Sequence, residues 1–85
     1  MKTFEFTINE RAGLHARIAV QLGYDAAKFK SEIIIKKDSK SSDVRNIMTL
    51  MSLNIRFGEQ VTFIVNGEDE EEAIIEIEQY CKYNL

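Results

Sequence analysis

The sequence predicts a two-layer α+β sandwich in which four strands and three helices follow the order β-α-β-β-α-β-α. Two patterns support this fold class: several short segments alternate apolar and polar residues, and between them apolar residues recur every third or fourth position. The 85 residues are 45% hydrophobic, include no proline and show no internal repeat, which predicts one domain over residues 1–85. Helices on one face of an antiparallel sheet leave its other face to solvent.

Alternation and β-branched residues mark the four strands. Residues 4–8 alternate apolar and polar side chains, as a half-buried first strand requires. Three isoleucines at 33–35 begin the second strand, and a polar turn leads to a short return strand through residues 41–42. Alternating residues 61–65 form the fourth strand before an Asn-Gly turn.

The three helices are predicted from 3.6-residue periodicity and from end signals. The first runs from Ala16 to about Phe29, the second from Asn46 to about Leu53, and the third begins near Asp69. Asn46 is a suitable N-cap. The helical residues expected in the core are Ile18, Leu22, Ala26, Phe29, Leu50 and Leu53. The third helix carries its apolar residues on one side, namely Ala73, Ile74, Ile77 and Cys81.

Composition and charge exclude several classes of function. With a formal net charge of -3, the chain lacks the positive charge balance that a broad nucleic-acid binding surface requires. One cysteine and one histidine cannot build a Cys/His zinc site, and acidic residues 68–72 complement a helix dipole rather than predict a metal site. The N-terminus lacks the apolar core of a signal peptide, and no segment approaches the length of a membrane span. We therefore expect a cytoplasmic protein without metal, cofactor, nucleic-acid partner or membrane insertion.

The lone histidine, His15, is the strongest indication of function. It lies where the loop after the first strand meets the first helix, whose unpaired N–H groups and positive dipole end favour an anion. A neutral imidazole nitrogen can accept a phosphoryl group. The N–H groups of Ala16 and Arg17 could then bind its oxygens, and the Arg17 guanidinium could add charge-assisted contacts. The alternatives are a capping or surface histidine without chemistry, and an ordinary exposed arginine.

A second indication is apolar surface that the core cannot use. The first helix carries apolar residues beside its core stripe, and the second helix is apolar nearly all round. An exposed apolar patch beside a reactive group indicates a partner-docking surface, and methionines suit several partners. The alternative is that these residues pack under a loop. We define the docking patch as Ala16, Val20, Tyr24, Ile47, Met48 and Met51.

Segments 13–17 (Gly-Leu-His-Ala-Arg), 46–53 and 67–73 together resemble the HPr family, the histidine-containing phosphocarriers of the bacterial sugar phosphotransferase system. The resemblance covers the whole chain. It implies an open-faced β-sandwich, with a four-stranded antiparallel sheet and three helices on one face. It further implies a monomeric carrier rather than an enzyme. Such a carrier is phosphorylated on Nδ1 of His15 by enzyme I, which draws on phosphoenolpyruvate, and passes the group to IIA domains for sugar uptake.

Two residues depart from the family pattern. Ile18 replaces the proline that normally follows the arginine; it restores a backbone donor and changes preorganisation without removing the reacting group. Asn46 occupies the position of the regulatory serine that an ATP-dependent HPr kinase phosphorylates in Gram-positive relatives. Asparagine can cap the helix there but cannot be phosphorylated. Within the family that the chain resembles, Asn46 also separates it from the paralogue Crh, which keeps that serine and lacks the histidine.

These departures keep two rival functions open. The first is a regulatory interaction module that retains the docking face and binds partners without phosphotransfer, as Ile18 and Asn46 favour. The second is a small hydrolase that holds a phosphate through Arg17. It is the weakest alternative, because no paired carboxylates near His15 are available to activate water.

Overall fold

All seven predicted elements are present, in the predicted order, in a computed structural model that describes residues Met1–Leu85. The elements are β1 (Lys2–Thr7), α1 (Ala16–Ala26), β2 (Glu32–Lys37), β3 (Lys40–Asp43), α2 (Ile47–Ser52), β4 (Gln60–Asn66) and α3 (Glu70–Asn84). Three helices and a four-stranded antiparallel sheet confirm the predicted α+β fold class. None of the helices is both long enough and apolar enough to cross a membrane.

The sheet has the strand order β1-β4-β2-β3, and every neighbouring pair is antiparallel. Phe63 at its centre pairs with Phe4 on one side and Ile35 on the other. The rings of Phe4 and Phe63 stack with centroids 4.8 Å apart, a favourable cross-strand aromatic pair. Ile33 and Ile35 are fully buried, whereas Ile34 between them lies on the opposite, half-exposed face.

The core lies between the sheet and the helices, and it includes most of the helical residues predicted for it. Ile18, Leu22 and Ala26 are buried as expected, and Ala19 joins them. Phe29 is only half-buried, because α1 ends at Ala26 rather than near residue 29. The chain there leaves the helix through a turn in which the Phe29 N–H donates to the carbonyl of Ala26.

A hydrogen-bond network ties the start of α3 to the segment between α1 and β2. The carboxylate of Asp69 accepts from the backbone N–H groups of Lys30 and Ser31 and from the Ser31 hydroxyl. These bonds hold the pKa of Asp69 below its ordinary value, the Ser31 hydroxyl contributing most. Gly67 packs so closely there that a Cβ on it would lie 2.6 Å from the Cα of Ser31. The acidic residues that follow form no group able to hold a metal ion.

Candidate functional site

His15 is the N-cap residue of α1, but its side chain does not cap the helix. Its backbone is extended, with φ −91° and ψ 178°, and its carbonyl accepts the N–H of Ala19 at 2.9 Å. The imidazole makes no capping hydrogen bond and is half-buried. The capping alternative is therefore wrong, and the ring remains available to a group that approaches from solvent.

The loop before His15 is fixed against the segment between α2 and β4. The Leu14 N–H donates to the carbonyl of Ile55 at 3.0 Å, and the His15 N–H donates to the carbonyl of Gly13 at 3.0 Å. Gly13 has φ +70°, and a Cβ there would lie 2.6 Å from the Ile55 oxygen and 3.1 Å from the Cα of Arg56. Only glycine fits both the backbone conformation and the space, so this contact sets the position of the histidine.

The first turn of α1 offers backbone donors beside the imidazole. The first intrahelical acceptor is the His15 carbonyl, which the Ala19 N–H uses; the N–H groups of Ala16, Arg17 and Ile18 have no partner. No acidic side chain lies in this turn to occupy them. Ile18, where the family has proline, directs its side chain into the core, with 1% exposed. The helix end can therefore accept an anion next to His15.

Arg17 is exposed and takes part in none of the ion pairs of the protein. Its charge acts on the hydroxyl of Tyr80 on α3: burial raises the pKa of Tyr80, and Arg17 partly opposes that rise. The Tyr80 hydroxyl donates to Oε1 of Gln21 at 2.9 Å. No ion pair therefore holds the guanidinium back from a phosphoryl group on His15.

The docking patch is exposed on two neighbouring helices, α1 and α2, as the sequence analysis predicts. Met48 is 84% exposed and Tyr24 is 80% exposed, while Leu50 and Leu53 are buried as predicted. No loop covers the patch, so the alternative of packing under a loop is wrong. The other members of the patch, all exposed, are Ala16, Val20, Ile47 and Met51.

Asn46 caps α2 as expected, since its side-chain oxygen accepts the Thr49 N–H at 3.2 Å. It lines an open cleft of about 550 Å³ with Asp43, Arg45, Ile47 and Met48. This cleft borders the docking patch rather than His15, and it is too open to enclose a small molecule.

Two further arginines, which no sequence pattern marks, hold segments of the chain beside this face. The Arg45 guanidinium donates to the carbonyls of Ala26, Phe29 and Ser31 at 2.8, 3.0 and 2.8 Å, which ties the start of α2 to the end of α1. Arg56 packs against Gly13. Neither role has a local sequence signal, because both depend on contacts between residues far apart in the chain.

The fold and the site define a small open-faced β-sandwich that presents an accessible histidine at the N-terminus of a helix, beside an exposed apolar face. The family described as PTS HPr component phosphorylation site matches residues 2–82. The chain therefore belongs to the HPr family of phosphocarrier proteins of the phosphotransferase system.

Individual relatives agree with this assignment. The chain is 38% identical over 85 residues to phosphocarrier protein HPr of Mycoplasma genitalium, covering 99% of this chain and 97% of that protein. It is 40% identical over 72 residues to the HPr-like protein Crh of Bacillus subtilis, with 85% of each covered.

Solved structures show the same fold. A crystal structure of HPr from Thermoanaerobacter tengcongensis superposes with a TM-score of 0.91 at 38% identity, covering 96% of this chain and 92% of that one. Crh of Bacillus subtilis, solved as a domain-swapped dimer, gives a TM-score of 0.78 at 34% identity, covering 100% and 98%. The fold is therefore shared with carriers and with HPr-like regulators.

Proposed function

We propose that this protein accepts a phosphoryl group on His15 from enzyme I, which draws on phosphoenolpyruvate, and passes it to IIA domains for sugar uptake. The observation that supports this proposal best is the position of the His15 imidazole. It makes no capping hydrogen bond and lies beside the unpaired N–H groups of Ala16, Arg17 and Ile18. Membership of the phosphocarrier family gives this geometry its chemical context. The protein would be a carrier that other proteins phosphorylate and dephosphorylate, not an enzyme.

The transfer needs little from the carrier beyond a nucleophile and an anion site. A ring nitrogen of His15 attacks phosphorus, an N–P bond forms, and the bond between phosphorus and the donor breaks. The phosphoryl oxygens would then accept from the free N–H groups of Ala16 and Arg17, and the Arg17 guanidinium would add charge. A nucleophile on the IIA domain later attacks phosphorus and the imidazole leaves, which restores the starting state.

Partners would dock on the patch around His15, where apolar side chains are exposed without any partner in the fold. The docked partner would cover the histidine and exclude water during transfer, so that water does not compete with the partner's nucleophile for the phosphoryl group. We propose a monomeric carrier, with enzyme I and IIA domains as successive occupants of the same surface. Size-exclusion chromatography with light scattering tests the monomer, since related chains have been solved as dimers.

The decisive experiment incubates the protein with enzyme I and phosphoenolpyruvate and then measures intact mass at neutral and acidic pH. We expect a gain of one phosphoryl group that acid removes, because the N–P bond of phosphohistidine is acid-labile, and no gain in His15→Ala. A gain that survives acid would indicate a phosphoserine instead. No gain with an active enzyme I would overturn the carrier function.

The second candidate is a regulatory interaction module that docks partners without phosphotransfer. The similarity to Crh and the substitution of Ile18 favour it. It predicts that His15→Ala binds its partners as tightly as the unaltered protein and performs the same regulatory task. The carrier function predicts that this variant still binds enzyme I but transfers nothing.

A further inference from the structure

Two arginines approach the loop that holds His15, and they come from different parts of the chain. Arg17 belongs to the first turn of α1, next to His15. Arg56 belongs to the segment between α2 and β4, and its Cα lies 3.1 Å from the position that a Cβ on Gly13 would take. The carbonyl of Ile55, just before it, accepts the N–H of Leu14 at 3.0 Å. The backbone of Arg56 is therefore fixed beside the histidine loop.

The guanidinium of Arg56 forms no ion pair within the fold. Glu59 is the nearest carboxylate in sequence, but its Oε1 accepts the backbone N–H of Arg56 at 2.7 Å and lies 3.0 Å from Nζ of Lys37. The backbone N–H of Arg56 and the ammonium of Lys37, with a smaller contribution from the charge of Arg56, hold the pKa of Glu59 below its ordinary value.

The guanidinium is oriented while most of its donors remain free. When the side-chain amide of Asn54 is oriented with its oxygen towards Arg56, that oxygen accepts from Nη2 and Nε of Arg56 at 2.9 and 3.2 Å. These bonds use two of the five N–H donors of a guanidinium and leave three. Arg56 is exposed, so the remaining donors can reach a group at the surface.

The two arginines approach from different elements. The charge of Arg17 acts at Tyr80 on α3, whereas Arg56 is held by Asn54 beyond the end of α2. A phosphoryl group on His15 carries up to two negative charges, and a guanidinium contacts such a group through two parallel N–H donors. A second cation, held on a different segment of the chain from Arg17, would add charge to the anion site.

We infer that Arg56 is a second phosphoryl-contacting residue, whose guanidinium donates to the phosphoryl oxygens once His15 is modified. This inference rests on the proposed phosphorylation of His15 but not on the identity of any partner. Its effect is to stabilise the fully ionised phosphoryl group, and Arg17 alone would stabilise that state less.

The test uses potassium phosphoramidate, which phosphorylates histidine without a partner protein. The P–N bond of the reagent breaks, ammonia leaves, and an N–P bond to the imidazole forms. The pKa of the phosphoryl group is then measured from its ³¹P chemical shift in the unaltered protein and in Arg56→Gln. Losing a nearby opposite charge should raise this pKa by about 1 unit. Arg56→Lys, which keeps the charge but loses the paired donors, should show a smaller rise.

Lys36→Gln is the matched control, because it removes one positive charge from the open face of the sheet, away from the helices. We expect it to titrate as the unaltered protein does, and melting curves should show all four proteins folded. A phosphoryl group that titrates identically in Arg56→Gln and the unaltered protein would overturn the inference. Failure of transfer from enzyme I, with the Arg56 effect intact, would refute the carrier function alone.

Discussion

The carbonyl oxygen of Ile55 lies where a side chain on Gly13 would have to be, only 2.6 Å from the position of its Cβ. The same oxygen accepts the Leu14 N–H. One backbone atom therefore both excludes a larger residue from the histidine loop and fixes its direction. Residues 13–17 act as a site because the segment after α2 holds them in place.

Replacing Gly13 by alanine should therefore misplace His15 as well as destabilise the fold. Gly58→Ala is a matched control, since Gly58 has φ +84° but nothing within 4 Å of its missing Cβ. Backbone strain alone should cost Gly58→Ala about 1–2 kcal/mol. Gly13→Ala should lose a further ~1–3 kcal/mol from the clash. Urea denaturation measures both, and equal losses would show that the loop yields without strain.

The Asp69 network should make stability depend on pH at the acid end. The folded pKa of Asp69 is lowered, so its contribution is fully present above the unfolded value of about 3.9 and disappears as pH falls through the folded pKa. Asp69→Asn should flatten the stability profile below about pH 4. Urea midpoints across this range measure it. Glu71→Gln, at an exposed carboxylate without hydrogen bonds, should keep the slope, and an unchanged slope in Asp69→Asn would contradict the prediction.

Local pattern was enough to predict the element order and most of the core. Alternation in β4 and the spacing of Ile18 and Leu22 depend on one buried face, and a single sequence displays that face directly. The apolar pattern predicts the end of α1 too late, near Phe29, because the apolar side chain of Phe29 continues the helical spacing. The helix in fact ends at Ala26, and the guanidinium of Arg45 donates to the carbonyls of Ala26 and Phe29 beyond its last turn.

The sequence alone identifies candidate site residues only where their pattern is local. His15 and Arg17 share one motif, and the exposed patch followed from an excess of apolar residues on two short helices. The contact of Gly13 with Ile55 and Arg56 was not predictable, because it joins distant residues and has no periodic signal. The hydrogen bonds of Asp69 to Lys30 and Ser31 also join distant residues, so the sequence does not predict them. The sequence indicates only a favourable interaction with the helix dipole, which any carboxylate at a helix start would have.

Asn46 should prevent regulation by an ATP-dependent HPr kinase at α2. Asparagine caps the helix through Thr49 but offers no hydroxyl for phosphorylation. Asn46→Ser keeps a capping residue and should create a kinase substrate, whereas Asn46→Ala should lose about 0.5–2 kcal/mol of stability and remain unlabelled. Labelling with radioactive ATP separates the variants. Efficient labelling of the unaltered protein would place the regulatory position elsewhere.

Truncating Met48 should weaken partner binding without weakening the fold. Its side chain is 84% exposed on α2, so Met48→Ala should change the free energy of unfolding by less than ~0.5 kcal/mol. Central anchors of an interface commonly lose more than ~1 kcal/mol of binding free energy on truncation, which calorimetry with enzyme I or a IIA domain would detect.

Leu50→Ala, on the same helix, provides the opposite control. Leu50 is buried, with 1% exposed, and its truncation should lower the free energy of unfolding by about 2–5 kcal/mol. Thermal melting and partner affinity are therefore measured on both variants. If Met48→Ala melts early, Met48 contributes to the core and the patch is misassigned. If it melts and binds as the unaltered protein does, partners dock on another surface, and the exposed apolar residues of α2 need a different explanation.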